Sequence, residues 1–167
     1  MIKVKGADKV LQKFKAMLDL TQNLQPVFQK IKGDESTDWS IRGSLSYAFK
    51  NEISPDDNAW DDLSPLYKKY KDKYFSPDLT ILLRSGNLFE SLVYGNSFTV
   101  DMMTNTKFVY GTALPYARTH QFGDSDKNVP KRPFMGFRRN QTQRINLEIR
   151  KYLLEAYRLQ SAQGGIA

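Results

Sequence analysis

The 167-residue chain contains no cysteine and a single histidine. The first absence excludes disulfide frameworks and cysteine-ligated zinc or iron–sulfur sites, and it suits a reducing compartment. The second leaves His120 as the one side chain that titrates near neutrality without help from its surroundings. No apolar run approaches the roughly 18 residues that a membrane span needs. The opening residues, MIKVKGADK, lack the apolar stretch of a signal peptide, so the expectation is a chain neither secreted by a visible signal nor anchored. Also missing are the phosphate-binding pattern GxxxxGK[ST], the dinucleotide pattern GxGxxG and the zinc-protease pattern HExxH. The acidic run at Asp56 fails the calcium-loop test: Asp61 stands where glycine is required and Tyr67 where a bidentate glutamate is required. The pairs Asp56-Asp57 and Asp61-Asp62 are adjacent residues whose side chains point apart, a poor arrangement for acid–base work. With one histidine and no cysteine, metal binding would fall to carboxylates alone. The expectation is no catalytic residue, no cofactor and no metal.

What the chain does have is charge of one sign, in one place. The net charge is +7, and from Lys127 onward nine Lys or Arg meet only Glu148 and Glu155, which accounts for the whole excess. A solvated helix face, an acidic protein surface and a nucleic acid are the three readings, in that order.

The hydrophobic periodicity points to helices at both ends. Val10, Phe14, Met17, Thr21, Leu24, Phe28 and Ile31 recur at spacings of four and three, one face of an α-helix that Pro26 should kink or interrupt after about residues 22–24. Ser36, Thr37 or Asp38 is expected to cap a second helix burying Ile41, Leu45, Ala48, Phe49 and Ile53. Ser64-Pro65 opens a short helix rich in lysine and tyrosine, and Leu88, Phe89, Leu92 and Val93 form a helical turn or two. Phe98, Val100 and Met102 alternate with Thr99, Asp101 and Met103, and 106–112 resumes the pattern after Thr104-Asn105, which predicts an antiparallel hairpin. From Arg138 the pattern is helical again, with Ile145, Ile149, Tyr152, Leu153 and Ala156 inward. Arg144-Glu148 and Lys151-Glu155 are read as pairs on the exposed side. The fold class that follows is α+β: a small antiparallel β-sheet packed against long N-terminal and C-terminal helices. It forms one domain over 1–167, with a helical part (1–53), a sheet and loops (54–137) and a final helix (138–160).

The stretch from Tyr110 to Gly136 organises the rest. It holds His120, three of the ten glycines and three of the seven prolines, threaded with Tyr110, Tyr116, Phe122 and Phe134. Glycine and proline in this density make a connection of defined shape, and a tether would not carry so much apolar surface. It is read as the handover from sheet to final helix and as the piece that faces another chain. The candidate contact residues are His120, Gln121, Phe122, Lys131, Arg132 and Phe134, with Arg132 expected to bond a neighbouring carboxylate or carbonyl. Gly86, Gly111, Gly123, Pro130 and Pro133 are read as conformational requirements, and His120 as a hydrogen-bonded structural histidine.

Several runs, in order, carry a resemblance. They are Phe49, Pro55 and Trp60-Asp61-Asp62-Leu63-Ser64; Leu82 to Leu88 with Ser91-Leu92; Tyr110-Gly111-Thr112 and Tyr116-Ala117; His120-Gln121-Phe122-Gly123; and Pro130-x-Arg132-Pro133-Phe134-x-Gly136. From Phe49 to the final helix the chain resembles the phage virion morphogenesis family, the group of Mu-type virion morphogenesis and P2-type tail completion proteins. The resemblance implies a non-enzymatic structural or assembly part at the head-to-tail junction of a tailed phage. Such a part forms a homo-oligomeric ring, commonly six-fold, beside portal, connector, tail terminator or tail tube proteins. Its place would be the virion, and the host cytoplasm during assembly. A transient capsid or tail assembly factor and a DNA-contacting neck protein are the alternatives; no membrane partner is expected.

Overall fold

The computed structural model of the chain describes residue 15 and residues 22–163, the last four of them as backbone. Most of the N-terminal stripe that begins at Val10 therefore lies outside the described residues. What is seen of it is α1 (Gln25–Lys32), with Pro26 in its first turn, where a missing N–H breaks no helical bond. Residues 22–24 before it are not helical, so the proline opens a helix here.

Helix α2 (Ile41–Asn51) is capped by Ser40, whose Oγ accepts from the Gly43 amide at 3.0 Å. The caps expected from sequence, Ser36, Thr37 and Asp38, are not used. Asp34 takes the first two, its Oδ1 accepting from the Ser36 amide at 2.9 Å and the Thr37 amide at 3.1 Å, so a side-chain-closed turn precedes the helix. Helix α3 (Pro65–Tyr74) is capped by Ser64, as its sequence indicates. Helix α4 (Asn87–Val93) follows Gly86, whose φ of +78° only glycine adopts without strain. Strands β1 (Thr99–Met103) and β2 (Phe108–Thr112) pair antiparallel, with Thr99 opposite Thr112 and Met103 opposite Phe108. Helix α5 (Ala117–Phe122) and the long α6 (Arg139–Gln163) complete the chain.

The core lies between α2 and α4. Phe49 is fully buried and meets Trp60 and Phe89 edge-on, with centroids at 5.6 and 5.5 Å, and Phe134 at 5.7 Å. Leu45, Leu88, Leu92 and Leu114 complete the cluster. Two of the rings around Phe49 come from irregular segments, so the loops before α3 and after α5 are part of the core. The hairpin is tied to α4 by the Tyr110 hydroxyl, which donates to Leu92 O at 2.7 Å. It is tied to α1 by stacked Phe28 and Phe108, 5.8 Å apart. Helix α6 lies along α1, with the Tyr152 hydroxyl donating to Asn23 O at 2.7 Å and Gln141 Nε2 to Ser40 O at 3.1 Å.

On α6 the expected Arg144–Glu148 pair forms, but its acid is buried rather than exposed, and Lys151 meets Glu148 instead of Glu155. Glu148 is buried at 2% exposure and draws in Lys30, Lys151 (3.2 Å) and Arg144 (3.3 Å). Its hydrogen bond from Lys30 first, and then Lys151, hold the carboxyl below its usual range against the opposing effect of burial. Lys151 thus turns back to a buried acid that joins α6 to α1. Replacing Phe49 by alanine is expected to cost about 3–5 kcal/mol of unfolding free energy, read from urea denaturation, because the rings around it are anchored elsewhere and cannot close the cavity.

Candidate interaction surface

Residues 117–138 are built around a reversal after α5. Gly123 makes it, at φ +79°, and a side chain there would also stand 3.2 Å from Lys131 N and 3.3 Å from Val129 O. The chain then closes a small loop, with Asp124 and Val129 exchanging both backbone hydrogen bonds at 2.9 and 2.8 Å. Lys127 seals it, its amide and Nζ both donating to the Asp124 carboxylate. The returning segment pairs with α5 through the Arg132 amide, which donates to His120 O at 2.7 Å.

Gln121 extends this pairing with its side chain. Its Oε1 accepts from the amides of Phe134 and Met135, both at 3.0 Å, and its Nε2 donates to Met135 O at 2.9 Å. The amide thus substitutes for a stretch of β-strand, satisfying three backbone groups of an otherwise irregular segment.

The segment is clamped from the other side by residues 60–62. Arg132, 4% exposed, donates from Nε to Asp61 O at 2.8 Å and from Nη2 to Asp62 O at 2.9 Å, while Trp60 Nε1 donates to Pro133 O at 2.8 Å. Charge-assisted bonds from a buried fork are the strong kind, and they fix direction as well as distance. Burial pulls the guanidinium below its usual range, countered by the charges of Asp61, Asp62 and Glu52.

The residues expected to make contact therefore divide. Arg132 and Phe134 face inward: Arg132 bonds carbonyls of its own chain, and Phe134 packs on Phe49. Gln121 is committed to the main chain of Phe134 and Met135. Phe122, 69% exposed, and exposed Lys131 remain on the surface, and Tyr116, the N-cap of α5, is exposed as well. Pro130 and Pro133 lie on the extended return, and Pro133 supplies the acceptor for Trp60. Gly111 is a correction. It sits in β2 opposite Val100 with no positive φ, and an added side chain would come no closer than 4.0 Å to Met135 Cε, so nothing in the backbone demands glycine there.

His120 packs its ring edge-on to Tyr116, with centroids 6.0 Å apart, and its Nδ1 is buried without a hydrogen-bond partner. Its main chain, and not its ring, makes the structural bonds. An apolar groove of about 470 Å³ opens between α2, the hairpin and residues 135–141, lined by Ile41, Leu45, Phe108, Tyr110, Met135 and Phe137. Among the described residues no group of three or more His, Asp or Glu side chains is placed to hold a metal ion. No described helix is long and apolar enough to cross a membrane.

Sequence reasoning missed the partnership of Trp60, Asp61 and Asp62 with the segment 132–134. Asp61 and Asp62 act through their carbonyl oxygens, which no side-chain pattern reveals; the available signal was that both runs carry the resemblance.

Two tests follow. Arg132→Met leaves two carbonyls without donors and should cost on the order of 3 kcal/mol; Arg132→Lys, lacking the planar fork, should recover little of it. Burial, and then the positive Arg132, hold the His120 imidazole below its ordinary 6.5. The unfolded chain therefore takes up a proton that the folded one resists, and stability falls as pH drops through about 6.5. Urea midpoints at about pH 7.5 and 5.5 should show this fall, and His120→Gln should flatten it.

The runs joined by the clamp, 60–64 and 130–136, are among those that carry the resemblance noted above. The sequence model of the phage virion morphogenesis family matches residues 4–154, reaching well ahead of Phe49. No curated protein and no solved structure shows a match. A match that spans α1 to α5, the clamp and most of α6 means that the chain belongs to the phage virion morphogenesis family.

Proposed function

We propose that this chain is a non-enzymatic structural or assembly component at the head-to-tail junction of a tailed phage, working as a closed homo-oligomeric ring, most simply of six copies. Family membership supports a role in virion assembly. The observation that carries the finer reading is that Phe122, 69% exposed, is held out at the C-terminal end of α5, against a returning segment that is bonded on both sides. A large apolar side chain on a preorganised support is what a protein interface needs, since little ordering cost remains to be met on binding.

A ring requires a heterologous contact, one patch meeting a different patch on the next copy. Phe122 and Lys131 form one such patch, with the apolar ring as anchor and the lysine directed at a carboxylate of the neighbour. The exposed arginines of α6, Arg139, Arg150 and Arg158, suit contact with an acidic portal, terminator or tube surface, or with passing DNA.

Native mass spectrometry of the wild-type protein is expected to show a closed oligomer, and Phe122→Asp to give monomers with an unchanged circular dichroism spectrum and urea midpoint. A wild-type protein monomeric at high concentration, or a Phe122→Asp variant that assembles normally, would overturn the reading.

A further inference from the structure

The apolar groove beside the hairpin follows the edge of a strand. Three consecutive residues of β2, Phe108, Val109 and Tyr110, line it together with Ile41, Met135 and Phe137. Successive side chains of a strand point to opposite faces, so three in a row share a groove only along the strand's edge. That edge is the free one: β2 pairs with β1 on its other side and with no further strand among the described residues. The polar atoms in the walls are already engaged. The Tyr110 hydroxyl donates to Leu92 O and accepts from Arg42 Nε, and Gln141 bonds Ser40 O and the Arg138 amide. What the groove offers an occupant is therefore apolar contact.

The same chain carries an apolar stripe that needs cover. Val10, Phe14 and Met17, widened by Leu11 and Leu18, share one helical face ahead of α1. Lys15, the one described residue of this stretch, is helical and exposed, as a position roughly 100° off the centre of the stripe requires. The stretch joins the body at the mouth of the groove. The Leu24 amide donates to Asn105 O at 2.6 Å in the hairpin turn, and Phe108, the first groove residue of β2, lies three positions further on. Residues 22–24 span at most about 10 Å. A helix over 8–21 would be about 21 Å long, enough to follow a five-residue strand of about 17 Å from end to end. The family model covers this stretch from residue 4, so it belongs to the matched domain.

We propose that residues 8–21 form a helix that lies along the free edge of β2 in the same chain, with its Val10, Phe14 and Met17 side filling the groove. A strand edge left bare is a template for pairing with another chain, and covering it with a helix is one of the ways proteins prevent this. The short link favours the chain's own groove over that of a second copy, because it holds the stripe at an effective concentration on the order of millimolar. Seated there, the helix keeps both the edge and the groove from other chains while the subunit is free. The contact does not rest on the ring reading and leaves the Phe122 patch untouched.

The absence of cysteine allows a direct test. In the Phe122→Asp background, which removes the proposed ring contact, Phe14→Cys paired with Phe137→Cys should close an intramolecular disulfide under mild oxidation. It should do so at least about tenfold faster than Gln12→Cys paired with Phe137→Cys, because Gln12 stands roughly 160° from the centre of the stripe. Amide exchange over residues 9–21 in dilute protein reports the contact without a cross-link. Those amides should be protected, and either Phe14→Asp or Phe137→Asp should speed their exchange by about tenfold or more, while Gln12→Asp should not. Phe137 is 60% exposed, so the body folds without its ring. Equal closure by the two cysteine pairs would overturn the proposal, as would open-chain exchange over 9–21 in the unaltered protein or exchange unmoved by Phe137→Asp. Disulfides formed only between chains would also overturn it, by seating the stripe on a second copy.

Discussion

A buried guanidinium bound to two main-chain carbonyls sets the form of this molecule. Arg132 fixes the return from α5 against residues 61 and 62. The Trp60 indole then finds Pro133 O, and the Trp60 and Phe134 rings close on Phe49 from two sides. Without that clamp the core would lose its cover, because a two-stranded hairpin and a few short helices enclose little volume themselves. The chain uses polar groups of irregular segments where a larger domain would use another layer of regular structure. The charge brings orientation as well as attachment, since a planar fork accepts two carbonyls in few arrangements.

The same economy appears wherever long polar side chains are buried. Gln121 stands in for a strand, Lys71 fastens α3 to the loop after it, and Glu148 gathers Lys30, Arg144 and Lys151 where α6 crosses α1. Polar and charged groups do interior work that apolar residues usually do, which releases aromatic rings to the surface. Phe122, Phe137, Tyr70 and Tyr74 are exposed while a lysine, an arginine and a glutamate are buried. In a virion assembly protein that inversion is coherent, because exposed aromatics on rigid supports are the usual substance of binding hot spots.

Much of this was legible in the chain itself. Ser64-Pro65, the alternation from Phe98 to Thr112 and the proline at 26 are local signals, and local chemistry decides them. That residues 110–136 form a connection of defined shape was legible too, but its inner and outer residues were not separated. Phe122 and Phe134 look alike in sequence; only the Gln121 staple and the Arg132 clamp turn one outward and the other inward. Arg132 read as a surface residue because arginine usually is one, and its true partners are main-chain atoms some seventy residues earlier. Glu148 misled for a related reason: the spacing to Arg144 is that of an exposed helix pair, and nothing local announces that Lys30 arrives from α1 to bury it.

The segment from His120 to Met135 owes its shape to bonds within one chain, so it should already be rigid in the free subunit. Hydrogen exchange measured at the amides of Arg132, Phe134 and Met135 in dilute, unassembled protein tests this most directly. Protection approaching that of the α2 and α4 core amides is the predicted result, given their acceptors at His120 O and Gln121 Oε1. Exchange near the rate of an open chain, with protection arriving only on assembly, would contradict it.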